Sequence, residues 1–71
     1  MSYSSDAPAV YRLRVGEQLD QRWAPWFDGL TLASDDHSTT LTGQLPDQSA
    51  LHAVLRKLRD LGLVLLSVER L

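Results

Sequence analysis

Six side chains offer the chain's best material for chemistry or recognition: Trp23, Trp26, His52, Arg12, Arg14 and Leu65. Trp23 and Trp26, with Phe27, stand at i, i+3 and i+4, so three aromatic rings share one helical stripe. Such a stripe either closes a core or lines a ligand pocket. Two tryptophans do not both fit deep in a core this small, so one is expected at a rim where its indole N–H finds a partner. His52 stands beside the apolar stripe of a second helical segment, where a histidine can act as a general base in a cleft or sit half-exposed with no role. Arg12 and Arg14 alternate with apolar neighbours, which puts them on an open strand face that can dock another protein or, with the basic helix end, nucleic acid. Leu65 falls out of phase with the apolar set around it, which is how a residue facing a partner rather than its own core would read.

Other combinations lead nowhere. Asp35-Asp36-His37 supplies oxygen and nitrogen ligands, but in a polar turn without the further ligands a metal site needs. There is no cysteine, which excludes disulfides, thiolate metal sites and cysteine nucleophiles, and two histidines alone do not build a zinc site. The four glycines are isolated, so no phosphate-cradling loop exists. No serine, histidine and acid are spaced as a triad. The basic trio Arg56, Lys57 and Arg59 fits a solvated helix end that complements the helix dipole. The chain is therefore expected to hold no metal and no cofactor and to carry no catalysis of its own.

These residues need a scaffold, and 71 residues make one domain. A chain of this size buries only about 60% of its unfolded surface, so a second subunit is the natural staple where disulfides are missing. Hydrophobic residues at 44% and charged residues at 23% are an ordinary globular balance. The longest apolar run, Leu63–Leu66 after Gly62, is far too short to span a membrane, and residues 1–6 lack the basic and apolar parts of a signal peptide. A cytoplasmic location is the default. A net charge of −2 argues against binding nucleic-acid backbone as the main task.

Residues 1–9 read as a flexible N-terminal tail, ending soon after Pro8, and 10–71 as a single domain. Val10–Val15 alternates, with Tyr11, Leu13 and Val15 on one face, which predicts a half-buried strand. Asp20 caps a helix that Pro25 makes short or partly 3₁₀, and Gly29 stops it. Leu30–Ala33 and Thr39–Leu45 read as a hairpin around the polar turn Ser34–Ser38. Leu51, Val54, Leu55, Leu58 and Leu61 mark an amphipathic helix between an Asp47 cap and Gly62. Leu63–Leu71 reads as a fourth strand with Val64, Leu66 and Val68 buried and Leu63, Leu65 and Leu71 out of phase. The order βαββαβ predicts an α+β, ferredoxin-like fold: a four-stranded antiparallel sheet, two helices on one face, the first and third strands central.

The open sheet face would then carry Arg12, Arg14, Thr31, Thr40, Thr42, Gln44, Leu65, Ser67 and Glu69. It lacks the aromatics on which single-stranded RNA stacks, so nucleic acid is the least expected partner. An apolar outer strand invites pairing with another chain unless something covers it. The leading expectation is a small non-enzymatic protein-interaction or regulatory module that self-associates as a homodimer, through the fourth-strand edge or the open face. The alternative is a small-molecule binding or catalytic domain of the dimeric α/β-barrel type, with Trp23, Trp26 and His52 in its pocket.

The stretches Leu19-Asp20-Gln21-Arg22-Trp23, Trp26-Phe27-Asp28-Gly29-Leu30-Thr31, Leu41-Thr42-Gly43, Asp47-Gln48-Ser49-Ala50-Leu51-His52 and Arg59-Asp60-Leu61-Gly62-Leu63, with Leu65-Leu66-Ser67-Val68, resemble a set of short bacterial proteins of uncharacterised function. The likeness spans residues 10–70 and implies no activity. Pro25 stands where the pattern leads one to expect a polar residue.

Overall fold

A computed structural model of the chain describes residues 8–71 other than Asp28. The expected tail lies, for residues 1–7, outside the described residues, and Ala9 already opens the first strand. The elements are β1 (Ala9–Val15), a 3₁₀ segment (Gln21–Trp26), β2 (Thr31–Ser34), β3 (Thr39–Leu45), α1 (Gln48–Asp60) and β4 (Leu65–Arg70). The class is α+β. The four strands form one antiparallel sheet in the order β2-β3-β1-β4, so β1 and β3 are internal and β2 and β4 are the edges.

β1 follows its alternation: Tyr11, Leu13 and Val15 are buried and Val10, Arg12 and Arg14 are exposed. Its register with β3 sets Leu13 opposite Leu41 and Arg14 opposite Thr40. α1 begins at Asp47, whose carboxylate accepts the Ala50 N–H at 2.8 Å. It ends in a paired cap, with Leu63 N–H donating to the Leu58 carbonyl at 3.0 Å and Gly62 N–H to the Arg59 carbonyl at 2.9 Å. Gly62 can close that cap because its φ is +74°, where a Cβ is disfavoured. Leu51, Val54 and Leu58 are buried from the predicted stripe, and Leu55 and Leu61 pack at its margin.

The first predicted helix is a six-residue 3₁₀ segment rather than an α-helix. Asp20 caps it by accepting the Arg22 N–H at 2.9 Å. Pro25 has no N–H to continue an α-helical ladder, and Phe27 N–H closes the turn on the Ala24 carbonyl at 3.0 Å. Of the three aromatics only Phe27 is fully buried; Trp26 is half exposed and Trp23 intermediate.

One cluster joins Tyr11, Leu13, Val15, Phe27, Leu32 and Leu41 to the buried side of α1. Gly43 lies on the core side of β3, where a Cβ would come 2.1 Å from the Gly29 carbonyl oxygen. Only glycine lets those two backbones approach so closely.

The fourth strand departs from its expected phase. Val64, Leu66 and Val68, expected to be buried, are 64%, 53% and 40% exposed. Two facts account for this. A bulge opposite Arg14 and Val15 inserts a residue at Leu66, so the pairing passes from Ser67 opposite Arg14 to Leu65 opposite Val15. Leu65, expected on the open face, therefore turns to the core side with Val68, and Leu66 turns to the face that carries Arg14. The buried side chains of α1 join the core while no β4 residue does, so even the core-side residues of β4 stay partly bare.

Candidate functional site

The backbone of β4 is open on one side. Leu71 N–H donates to the Val10 carbonyl at 2.8 Å, in the same register that pairs Arg12 with Glu69 and Arg14 with Ser67. Antiparallel pairs that exchange hydrogen bonds alternate with pairs that do not. Glu69 and Ser67 thus turn their backbone groups toward β1, while Val68 and Arg70 turn theirs outward. Beside that open backbone lie Val64, Leu65, Leu66, Val68 and Leu71, all exposed, with Val10 next to them on β1. Scattered exposed apolar residues are ordinary on a protein surface; six gathered on and beside one edge strand are not.

On the outer face of the sheet, the Arg12 guanidinium reaches the Glu69 carboxylate at 3.3 Å across the β1–β4 pair. Both groups are exposed, so this pair adds little to stability. Arg14 donates to Ser38 Oγ at 3.3 Å. Together with Asp35, Asp36, His37 and Leu66 these two residues line an open concavity of about 520 Å³. Its hydrogen bonds explain it as a locked turn. Asp35 Oδ1 accepts from His37 N–H at 2.9 Å, Ser38 N–H at 2.8 Å and Ser38 Oγ at 3.0 Å. The two backbone donors, then the serine hydroxyl, and more weakly Arg14 hold the Asp35 carboxyl below its ordinary pKa against a small opposing desolvation. The Ser38 proton is directed at a carboxylate rather than at His37, so serine and histidine are not coupled as a nucleophile and base would be.

Sequence reasoning missed a buried polar node beneath this turn. Thr39, fully buried, donates from Oγ1 to the Glu17 carbonyl at 2.8 Å and accepts the Leu19 N–H at 2.8 Å. Ser34 Oγ lies 3.0 Å from Thr39 Oγ1 and donates to the Leu19 carbonyl at 2.6 Å. The only available signal was a pair of hydroxyl residues flanking the turn on both strands. The same region covers the edge of β2: Gln21 Nε2 donates to the Leu32 carbonyl at 3.0 Å.

The six residues singled out from the sequence fall in three places. Arg12, Arg14 and Leu65 all lie in the β1–β4 half of the sheet, the arginines on its outer face and Leu65 on its core side. Trp23 and Trp26 sit together on the 3₁₀ segment, ring centres 6.1 Å apart, and with Arg22 line a shallow concavity. Lys57 donates to the Trp26 carbonyl at 2.6 Å and lies 6.0 Å from its ring centre, which ties α1 to the 3₁₀ segment. His52 is exposed on α1 and lines neither that tryptophan concavity nor the Arg14–Ser38 one. The trio Trp23, Trp26 and His52 is therefore not gathered around either of these concavities. Val10, Val64, Leu66 and Val68 join the β4 surface, and the sequence reading had not placed them there.

Among the described residues no helix is long and apolar enough to cross a membrane. No curated protein and no solved structure matches the chain. One family does match, over residues 10–69, and its description is Domain of unknown function (DUF8691). That span takes in every buried residue of the core cluster, and the chain belongs to this family.

Proposed function

We propose that this chain is a small protein-interaction module, without catalysis of its own, that self-associates through the β4 edge. The observation that supports it is the bare strand: Leu65, Leu66 and Val68 exposed beside outward backbone groups of Val68 and Arg70. A strand in that state pairs readily with another chain, main-chain hydrogen bonds giving affinity and alternate side chains giving selectivity. A small core without disulfides gains most from such a partner. We also read the order of elements as a ferredoxin-like fold in which a 3₁₀ segment stands in for the first helix. The strand order β2-β3-β1-β4 with internal β1 and β3 supports that reading.

The test is sedimentation equilibrium of the natural chain and of Val68→Pro. The Val68 N–H points away from β1, so proline there removes no bond of the β1–β4 ladder while blocking strand addition. The expected result is a natural chain heavier than a monomer and a monomeric variant with unchanged circular dichroism. A natural chain that stays monomeric at high micromolar concentration overturns the proposal.

A further inference from the structure

We infer that the occupant of the β4 edge is a second copy of this chain, joined antiparallel through β4, with the two-fold axis passing through Val68. The inference rests on the self-association proposed through the β4 edge and adds its symmetry and register.

The edge itself argues for a copy. Over residues 65–71 it carries one acid, Glu69, and one base, Arg70, on opposite faces of an otherwise largely apolar strand. A strongly acidic or strongly basic segment gains nothing there, whereas a second copy of this charge-balanced strand meets no net repulsion. The chain's net charge of −2 opposes the approach of two copies only weakly.

The register follows from the outward backbone groups. A two-fold copy must bring outward residues face to face, and over Val68–Arg70 three axes do so. An axis through Glu69 sets its carboxylate directly opposite the partner's Glu69. An axis through Arg70 sets two guanidinium side chains opposite each other. Like charges directly opposite one another across a strand pair are destabilising. An axis through Val68 avoids both. It pairs two β-branched side chains on the core side, where Val68 is 40% exposed. It also sets Ser67 opposite the partner's Glu69 on the outer side and carries Leu71 toward the partner's Leu65. The two sheets become one continuous sheet, and the partly bare core-side stripes of the two β4 strands cover each other.

Single cysteines test this cleanly because the chain has none. In the proposed register two Val68 residues form a hydrogen-bonded pair with Cα atoms about 5.5 Å apart, inside the range of roughly 4.4–6.8 Å that a disulfide spans. Ser67→Cys, Val68→Cys, Glu69→Cys and Arg70→Cys are oxidised under identical mild conditions, with circular dichroism confirming each fold. The expected result is a disulfide-linked dimer forming several-fold faster from Val68→Cys than from the other three. Faster coupling at residue 69 or 70, in a chain that sediments as a dimer, overturns the register and leaves the β4 interface standing. Slow coupling at all four, in a chain that still sediments as a dimer, overturns the β4 seam altogether. A natural chain that sediments as a monomer removes the underlying reading itself.

Discussion

β2 and β4 are both outer strands of the same sheet, yet only one of them is finished as an outer strand. β2 is four residues long, and the 3₁₀ segment lies against it. Gln21 occupies the outward Leu32 carbonyl and the Ser34 hydroxyl ties the end of the strand to Leu19, so this short edge is partly covered. β4 is six residues long, with apolar side chains exposed on both faces and outward backbone groups at Val68 and Arg70. Edges of the first kind are how monomeric sheets avoid pairing with their neighbours. The contrast within one small sheet shows that the bareness of β4 is local and does not come from a generally loose fold.

Substitutions can break or sharpen this contrast. The largest effect is expected beside β2: Phe27→Ala removes a fully buried ring and should cost about 3–5 kcal/mol in chemical denaturation. Leu66→Ala on β4, half exposed, should move the stability of the dilute chain by no more than about 0.5 kcal/mol. Equal losses for the two would erase the distinction. Thr39→Val keeps the shape but leaves the Glu17 carbonyl and Leu19 N–H without their hydroxyl partner. It should cost about 1–3 kcal/mol by the same measurement. Gln21→Ala uncovers the Leu32 carbonyl at an edge already wet, and a loss of about 1 kcal/mol or less is expected.

The smallest effect concerns pH. The Asp35 carboxyl has its pKa lowered in the folded chain by the donors of His37 and Ser38. Its contribution is therefore fully present above the ordinary aspartate pKa of about 3.9 and is lost as pH falls through the lower folded value. Asp35→Asn should lower stability slightly at neutral pH, where the carboxylate contributes, and the two chains should converge below about pH 4, so the variant's acid limb is flatter. An acid limb identical in the two chains would show that the turn lock does not couple to folding.

How much of this was legible from the sequence depended on whether one rule governed each segment. α1 was legible to within its caps, because Leu51, Val54, Leu55, Leu58 and Leu61 repeat at helical spacing between Asp47 and Gly62. β1 was legible because its alternation has no exceptions. The 3₁₀ character of the aromatic segment was legible from Pro25, but which ring would be buried was decided by tertiary packing around Phe27. The phase of β4 was not legible. Leucine and valine occupy both faces of residues 63–68, so nothing marks where the bulge inserts its extra residue, and a one-residue slip exchanges the faces. The Thr39 node was hidden for another reason: its partners are backbone groups of Glu17 and Leu19, which no side-chain pattern announces.

Amide hydrogen exchange at Val68, followed across a dilution series, tests the open edge most directly. Within one chain its N–H faces water, so it should exchange fast when dilute and become protected as concentration rises, while the Leu13 amide, on an internal strand, stays protected throughout. Exchange at Val68 that is equally fast at every concentration, or equally slow even at the lowest, would contradict the account of β4 as a strand that waits for its partner.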